Sequence, residues 1–222
     1  MRQLVVGTFL TVDGVMQAPG GPDEDREGGF GHGGWSVNYW DEFMGQTIVE
    51  LTQQAGALLL GRKTYDIFVA SWPKVGDEDP VAAKLNSMPK YVASRTLRKV
   101  IWNNASLLEG DVAQAVAKLK EEPGGEIQVT GSGNLIQTLI KYGLVDRFVL
   151  WVFPVVLGSG KRLFGSGAIP ASLKLLDTKT SSTGVAIHTY ERAGEINYGS
   201  FDVDEQHRSE EIWQKPAESQ AS

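Results

Sequence analysis

The segment Ile127–Phe164 constrains the fold more than any other part of the sequence, because two β-type patterns flank one α-type pattern within it. Its β-branched start stops at Gly131-Ser132-Gly133, where glycine permits a tight turn. The next residues repeat apolar side chains at helical spacing, and residues 148–157 form an almost unbroken apolar run that is typical of a strand covered on both faces. The segment therefore predicts a βαβ unit.

The turn at Gly131–Gly133 also has the character of an anion site. The first backbone N–H groups of a helix have no intrahelical partner, and the helix dipole adds positive potential at the same end. A pyrophosphate would fit such a turn, but a single G-x-G is equally consistent with an ordinary connection between a strand and a helix. The interpretation depends on whether similar junctions occur elsewhere in the chain.

Two further strand ends carry groups that bind anions. The apolar run 57–60 leads into Gly61-Arg62-Lys63-Thr64, where the glycine lets the backbone approach a ligand, the arginine offers a forked cation and the threonine offers a hydroxyl. The run 91–94 ends in Ser94-Arg95, and a hydroxyl beside an arginine at such a place suits the 2′-phosphate of NADPH. Three junctions of this kind favour a phosphate-bearing cofactor.

Three acidic residues are candidates for contact with a substrate. Asp13 follows the first predicted strand, where a carboxylate would face a ligand at the sheet edge, although Asp13-Gly14 is also ordinary turn chemistry. Asp41 and Glu42 open an amphipathic helix, where acids either complement the helix dipole or face a cleft as proton donors. Between them, residues 19–34 hold seven glycines and two prolines, which predicts a long binding loop or lid.

Composition limits the classes of function. The 222 residues include no cysteine and only three scattered histidines, so we expect no disulfide, no thiol chemistry and no metal site. The sequence opens in a strand pattern without a signal-like segment, and no run is long enough for a membrane span, which predicts a cytoplasmic protein that binds no membrane. With a net charge of -6, no nucleic-acid surface is expected.

The negative charge is concentrated at the C-terminus. Residues 194–222 contain seven acidic residues against two basic ones, so the rest of the chain is close to neutral. Before this segment, residues 173–180 and 185–190 alternate on either side of a turn and predict a hairpin. We therefore expect one domain over residues 1–192 and a flexible acidic extension over residues 193–222.

Taken in order, these pieces resemble the dihydrofolate reductase-like superfamily, and most closely the stand-alone relatives of the reductase domain of riboflavin biosynthesis, the RibD C-terminal domain. The resemblance spans roughly residues 2–192 and includes every junction described above. It rests on five pieces: Val12-Asp13-Gly14, Leu58–Tyr65, Val92–Thr96, Val129–Gly133, and Leu144–Arg147 followed by Pro154–Phe164.

The resemblance implies an α/β fold of three layers, α/β/α, with a mixed and mainly parallel sheet that ends in an antiparallel hairpin. It also implies a homodimer, with residues 148–157 as the expected interface, and an NADPH site across the carboxyl ends of the strands. Carried onto this sequence, the cofactor would meet three sets of residues: Gly61, Arg62 and Thr64 at its phosphates, Ser94 and Arg95 at its 2′-phosphate, and Gly131, Ser132 and Gly133 at its pyrophosphate. Relatives usually carry small residues at the last turn, often three glycines, so Ser132 adds a hydroxyl there.

The activity implied by the resemblance is NADPH-dependent reduction of a C=N or C=O bond in a small heterocyclic or sugar-like substrate, of pterin or ribosylamino-pyrimidine type. Asp13 would orient the substrate, and Asp41 and Glu42 would donate or relay protons. Relatives that reduce ribosylamino-pyrimidines are commonly fused to a zinc deaminase, for which this chain has no cysteine or histidine set. Two alternatives stay open, namely a nucleotide-binding regulatory protein and a structural dimer, both without turnover.

Overall fold

A computed structural model of the chain describes residues 1–165 and 168–199. These residues form one eight-stranded sheet with helices on both faces. The strands are β1 (Leu4–Thr11), β2 (Ala55–Gly61), β3 (Lys90–Ala93), β4 (Ala105–Leu107), β5 (Glu126–Thr130), β6 (Arg147–Phe153), β7 (Leu173–Thr180) and β8 (Ala186–Arg192). The helices are α1 (Glu42–Gln54), α2 (Arg62–Ser71), α3 (Pro80–Ser87), α4 (Val112–Glu121) and α5 (Gly133–Lys141).

The strand order is β4-β3-β2-β5-β1-β6-β8-β7. The first six strands of this order run parallel, and β8 and β7 are antiparallel, so the predicted mixed sheet with a C-terminal hairpin is confirmed. The predicted βαβ unit is present as β5-α5-β6, with β1 inserted between its two strands. β1 is therefore one of the two middle strands of the eight-stranded sheet, and its carboxyl end lies beside those of β5 and β6.

Apolar side chains alternate between two cores on either side of this sheet. On one face, α4 and α5 cover β1, β5 and β6 through a cluster centred on Val6, Ile127 and Ile136. On the other face, α1 packs through Met44 against Val5 and Trp151, while α2 and α3 cover β2. Each strand presents successive side chains to opposite faces, so helices pack on both sides of the sheet. The predicted three-layer α/β/α arrangement is confirmed.

β6 differs from the prediction in its length and in its surroundings. It ends at Phe153 rather than at residue 157, because Pro154 has no N–H for the ladder and the N–H of Val155 turns back to the carbonyl of Phe153 at 2.7 Å. β6 pairs with β1 on one edge and β8 on the other, and most of its side chains are buried. This strand is therefore a core element of the sheet, and the dimer interface expected for residues 148–157 stays a prediction.

Two of the exposed apolar side chains of the C-terminal half lie on the outer strand of the hairpin. β7 is the last strand of the sheet, and all of its residues after Leu173 are exposed, including Leu175 and Leu176. Beyond β8 the chain is tied back by Ser172, whose carbonyl accepts from the N–H of Ala193 at 2.8 Å. The predicted acidic extension falls largely on residues 200–222, which lie outside the described residues.

Candidate cofactor and substrate site

The three predicted anion-binding junctions lie on neighbouring strands. β3, β2 and β5 are adjacent and parallel, with Gly61 in register with Ala93 and Leu59 in register with Val129. Because the carboxyl ends of parallel strands share one edge, the segments after Gly61, Ala93 and Thr130 emerge side by side. The structure thus brings the predicted cofactor residues together on one edge of the sheet.

The junctions after β2 and β5 are bonded to each other through Ser132. Its hydroxyl accepts a hydrogen bond from the N–H of Gly61 at 2.9 Å and donates to the carbonyl of Thr130 at 3.0 Å. Its own N–H donates to the hydroxyl of Thr64 at 2.9 Å. The side chains of Ser132 and Thr64 therefore fix the spacing of the two turns, which is a role that the sequence did not reveal.

The turn after β5 has little room for larger residues. Gly131 and Ser132 both adopt left-handed backbone conformations, with φ of 55° and 58°. A methyl group on Gly131 would lie 3.1 Å from the Thr64 hydroxyl oxygen, and one on Gly133 would lie 3.3 Å from the sulfur of Met16. Glycine is required at 131 both for its conformation and for this close approach, while Ser132 is held in an unfavourable conformation by its hydrogen bonds.

The helices that begin at these junctions differ from the other α-helices in their N-caps. Aspartate side chains cap α1, α3 and α4, where Asp41, Asp79 and Asp111 accept from backbone N–H groups of the first turn. α2 begins after Gly61 and α5 after Ser132, and among the described residues no side chain caps either of them. The first-turn N–H groups of α2 and α5 thus remain available at one edge of the sheet, where an anion can accept from them.

The segment after β3 joins the same edge through Arg62. The guanidinium of Arg62 donates to the hydroxyl of Thr96 at 2.6 Å and approaches Asp66 at 3.3 Å. The hydroxyl of Ser94 accepts from the N–H of Leu97 at 2.9 Å and shapes a turn that leaves Arg95 exposed. Thr96 was not predicted as a site residue, since only the fold reveals its contact with Arg62.

Asp13 is held by the loop that follows β6. Its carboxylate accepts from the hydroxyl of Thr11 at 2.6 Å and from the backbone N–H groups of Gly158 at 2.8 Å and Leu157 at 3.2 Å. The bond from Thr11 and those from the two N–H groups lower the pKa of Asp13 from 3.8 to about 2. The carboxylate is thus ionised at neutral pH, and these contacts fasten the end of β1 to the loop.

Asp41 caps α1 and also binds the turn of the hairpin. Its carboxylate accepts from the N–H of Met44 at 2.9 Å and from the hydroxyl and the N–H of Ser182 at 2.7 and 2.8 Å. The Ser182 hydroxyl, followed by the N–H of Met44, lowers the pKa of Asp41 below its usual value. Glu42 is exposed and accepts from the amide of Gln46 at 3.2 Å. These contacts favour the helix-start interpretation, and the catalytic roles of both acids stay predictions.

An opening reaches the middle of the sheet on the α1 face. Gly7 is partly exposed although it lies in a middle strand, and a methyl group on it would meet no atom within 4 Å. Gly7 is in register with Thr130, the residue before the glycine turn after β5. The sheet is therefore accessible at Gly7, beside the candidate cofactor residues.

Residues 19–34 form a long glycine-rich loop without α-helix or strand, as predicted, with one 3₁₀ turn at Glu27–Gly29. Its Phe30 is buried with Val15 and Ala18, and its acids Asp25 and Glu27 form ion pairs with lysines. The ion pairs were not predicted, because the partners lie far apart in the sequence.

Two structural features are absent from the described residues. Within residues 1–165 and 168–199, no helix is long and apolar enough to cross a membrane. Across the same described ranges, no group of three or more histidine or acidic residues is arranged to hold a metal ion.

Comparison with known proteins identifies relatives over nearly the whole chain. A profile of the RibD C-terminal domain matches residues 2–187. The chain is 35% identical over 194 residues to the uncharacterized protein YyaP of Bacillus subtilis (strain 168), covering 85% of this chain and 94% of YyaP. It is 27% identical to the uncharacterized protein YwjB of the same organism, over 71% of this chain and 87% of YwjB.

Solved structures share the fold. A protein of Shewanella sp. PV-4 named for riboflavin biosynthesis is 23% identical, with a TM-score of 0.61 over 86% of this chain and 98% of that one. The diaminohydroxyphosphoribosylaminopyrimidine deaminase/5-amino-6-(5-phosphoribosylamino)uracil reductase of Thermotoga maritima is 13% identical, with a TM-score of 0.59 over 86% of this chain and 57% of that one. At these low sequence identities, the structural similarity shows a shared dihydrofolate reductase-like fold. Together with the match over residues 2–187, it shows that the chain belongs to the RibD C-terminal domain family.

Proposed function

We propose that this protein is an NADPH-dependent reductase that transfers hydride to a C=N or C=O bond of a small heterocyclic or sugar-like substrate, of pterin or ribosylamino-pyrimidine type. The observation that carries the proposal is the pair of helices α2 and α5, which no side chain of the described residues caps and which start at the same edge of the sheet. Membership of a family whose relatives include a named uracil reductase supports the reductase assignment.

The residues at this edge fit the phosphates of a dinucleotide. The N–H groups at the start of α5, after Gly131–Gly133, would donate hydrogen bonds to the pyrophosphate, and Arg62 would add a cation beside it. Ser94 and Arg95 would contact the 2′-phosphate, because they follow the neighbouring strand β3. Ser132 and Thr64 would act mainly by holding the turns in register, since their hydroxyls already bond within the protein.

The substrate would occupy the opening over Gly7. When bound, the cofactor supplies the hydride, and the protein orients the two reactants and excludes water. The partly exposed floor at Gly7 and Thr130 lies beside the cofactor residues, which suits a planar ring. Asp13 would contribute as a fixed negative charge that orients the substrate, since its pKa of about 2 leaves it no proton to donate at neutral pH.

Titration of the tryptophan fluorescence with NADPH and with NADH tests the cofactor assignment. We expect the native chain to bind NADPH more tightly than NADH. Arg95→Gln should weaken NADPH binding about tenfold, the loss of one charge-assisted hydrogen bond, and leave NADH binding unchanged. Arg98→Gln, an exposed arginine of the same segment, is the control and should affect neither. If neither NADPH nor NADH binds, the proposal is refuted.

A second function, nucleotide binding without turnover, is favoured by the ionisation and the hydrogen bonding of the candidate acids. Asp13 and Asp41 are both ionised and engaged in structural hydrogen bonds, so neither is an evident proton donor. Consumption of NADPH, followed at 340 nm over a panel of pterins, ribosylamino-pyrimidines and simple carbonyl compounds, separates the two functions. Oxidation with any substrate establishes a reductase, whereas tight binding without oxidation across the panel establishes a binding protein.

We further propose a homodimer that forms along β7. This strand is one of the two edge strands of the sheet, the other being β4, and Leu175 and Leu176 are 51% and 46% exposed on it. Unpaired edges with apolar side chains tend to pair with another chain. Sedimentation at increasing concentration should show a dimer for the native chain and a monomer for Leu175→Lys. A monomeric native chain would contradict this proposal.

A further inference from the structure

Two lysines from distant parts of the chain meet beside the candidate cofactor site. Lys63 lies in the first turn of α2, and Lys161 lies in the loop after β6. Both contact the same two carboxylates of the glycine-rich loop. The Lys161 ammonium is 2.5 Å from Asp25 and 2.6 Å from Glu27, while that of Lys63 is 3.5 Å from Asp25 and also bonded to Glu27. The four charges therefore form one neutral cluster.

The same stretch of loop is held by one further polar residue. The side-chain amide of Gln17 donates to the carbonyls of Asp25 and Glu27 at 3.1 and 3.0 Å, and its oxygen accepts from the N–H of Lys161 at 3.0 Å. Phe30 anchors the loop a few residues later in a small apolar cluster. The segment around Arg26 is thus fixed mainly by the ion pairs and by Gln17.

The charged contacts are of a kind that a dissolved anion can replace. The side chains of Lys63 and Glu27 are 62% and 58% exposed, so water and salt screen their attraction. Lys63 also stands in the first turn of α2, which no side chain of the described residues caps, and a helix N-terminus favours negative charge whatever its source. When the two carboxylates leave, the two ammonium groups lose their shared partners near the start of this helix, an arrangement that suits a phosphate group.

We propose that Lys63 and Lys161 form a binding site for a phosphate group, that Asp25 and Glu27 occupy this site in the absence of ligand, and that phosphate binding there releases the glycine-rich loop. The two carboxylates of the loop thus compete with a phosphate group for the lysines, and the position of the loop shows whether the phosphate is bound. This inference rests on the anion-binding part of the proposed function and not on NADPH or on turnover. Binding of a phosphate and closure of the loop on the lysines exclude each other, which couples the two events.

Limited trypsin digestion reads out the position of the loop, because Arg26 lies between the two carboxylates and trypsin cleaves faster where the backbone on both sides of the bond is released. The amount of cleavage after Arg26 is measured by mass spectrometry of the full chain. We expect inorganic pyrophosphate to raise the cleavage rate several-fold over sodium chloride of equal ionic strength. Asp25→Asn/Glu27→Gln should be cleaved at the higher rate without pyrophosphate, and pyrophosphate should add nothing further.

Two more variants complete the design. Lys63→Gln/Lys161→Gln should also be cleaved rapidly after Arg26, and its rate should not respond to pyrophosphate. Asp77→Asn/Glu78→Gln removes the same charge from an exposed segment elsewhere and should behave like the native chain. Far-ultraviolet circular dichroism and thermal melting show whether each variant is folded, so that rapid cleavage is assigned to the loop.

The result that overturns the inference is a native cleavage rate that pyrophosphate leaves unchanged, or an Asp25→Asn/Glu27→Gln variant cleaved at the native rate. Repeating the digestion with NADPH and with ribose 5-phosphate identifies the source of the phosphate, since only the compound that reaches the lysines releases the loop. A chain that responds to pyrophosphate or ribose 5-phosphate but binds no NADPH refutes the cofactor assignment and leaves this inference standing.

Discussion

The hydroxyl of Ser132 accepts a hydrogen bond from the backbone N–H of Gly61 at 2.9 Å, across 71 residues of sequence. This bond joins the end of β2 to the turn after β5, and Ser132 has a left-handed backbone with φ of 58° to make it. The two turns from which α2 and α5 begin are therefore one unit. Anion binding at this edge depends on their relative position as much as on the residues within each turn.

Two replacements of Ser132 distinguish the contribution of its hydrogen bond to stability from that of its backbone conformation. Ser132→Ala loses the bond and keeps the unfavourable left-handed conformation, so we expect a loss of about 1–2 kcal/mol in the free energy of unfolding. Ser132→Gly loses the same bond but adopts this conformation freely, so its loss should be under about 0.5 kcal/mol. Urea denaturation measures both. Equal losses for the two variants would mean that the backbone conformation of Ser132 carries no strain.

Gly131→Ala should damage the same junction through crowding. Its methyl group would lie 3.1 Å from the Thr64 hydroxyl oxygen in a backbone with φ of 55°. Gly110→Ala is a matched control, because Gly110 has φ of 71° and open space around it. We expect the control to lose about 1 kcal/mol of unfolding free energy from the backbone alone, and Gly131→Ala to lose more and to bind pyrophosphate more weakly. Similar behaviour of the two variants would refute the crowding.

Asp13 should make stability fall with acid. Its pKa is lowered from 3.8 to about 2 by folding, so the unfolded chain binds more protons between these values. Its stabilising contribution is present above pH 3.8 and is lost as the pH falls toward 2. The urea midpoint of Asp13→Asn should lie below the native one at pH 6 and should depend less on pH between 4 and 2. A native-like midpoint at pH 6 would show that the loop after β6 does not need this carboxylate.

Lys90 should make stability rise with pH in the alkaline range. Its side chain is wholly buried and donates to the carbonyls of Met88, Asn103 and Asn86, and burial lowers its pKa from 10.5 to about 8. Between these values the unfolded chain binds more protons, so the free energy of unfolding should rise with pH from 8 to 10.5.

Lys90→Met removes the titrating group and should flatten this rise in urea denaturation measured across the same pH range. Lys74→Met, at an exposed position, should keep the native slope. A native chain whose stability does not change over this range would show that the three carbonyl groups hold the ammonium form in the folded state.

Asp41 offers a test between a structural and a catalytic role. Asp41→Asn weakens the bonds to Met44 and Ser182, so we expect a lower melting temperature with NADPH affinity unchanged. Ser182→Ala removes one of the same bonds and leaves the acid in place. If Asp41 is structural, both variants should lower the melting temperature and keep any turnover. Loss of turnover in Asp41→Asn alone, with an unchanged melting temperature, would establish a catalytic role.

Local patterns in the sequence determined the elements and the fold. The apolar periods predicted α1, α5 and most strands, and the three glycine or serine junctions indicated one edge of a parallel sheet. These features depend on residues a few positions apart, where hydrophobic period, capping and turn chemistry act. The end of β6 was missed because a long apolar run hid the turn that Pro154 imposes at Phe153.

Only the tertiary structure decided how the site residues are used. The sequence could not show that Ser132 bonds to Gly61, that Asp13 fastens the loop at Gly158, or that Lys63 and Lys161 share the acids of the glycine-rich loop. A charged or polar side chain bonds to whatever the fold brings within about 3 Å, and these partners lie far apart along the chain. Residue types therefore indicated an anion-binding edge, and the packing of distant segments determined which of those groups remain available to a ligand.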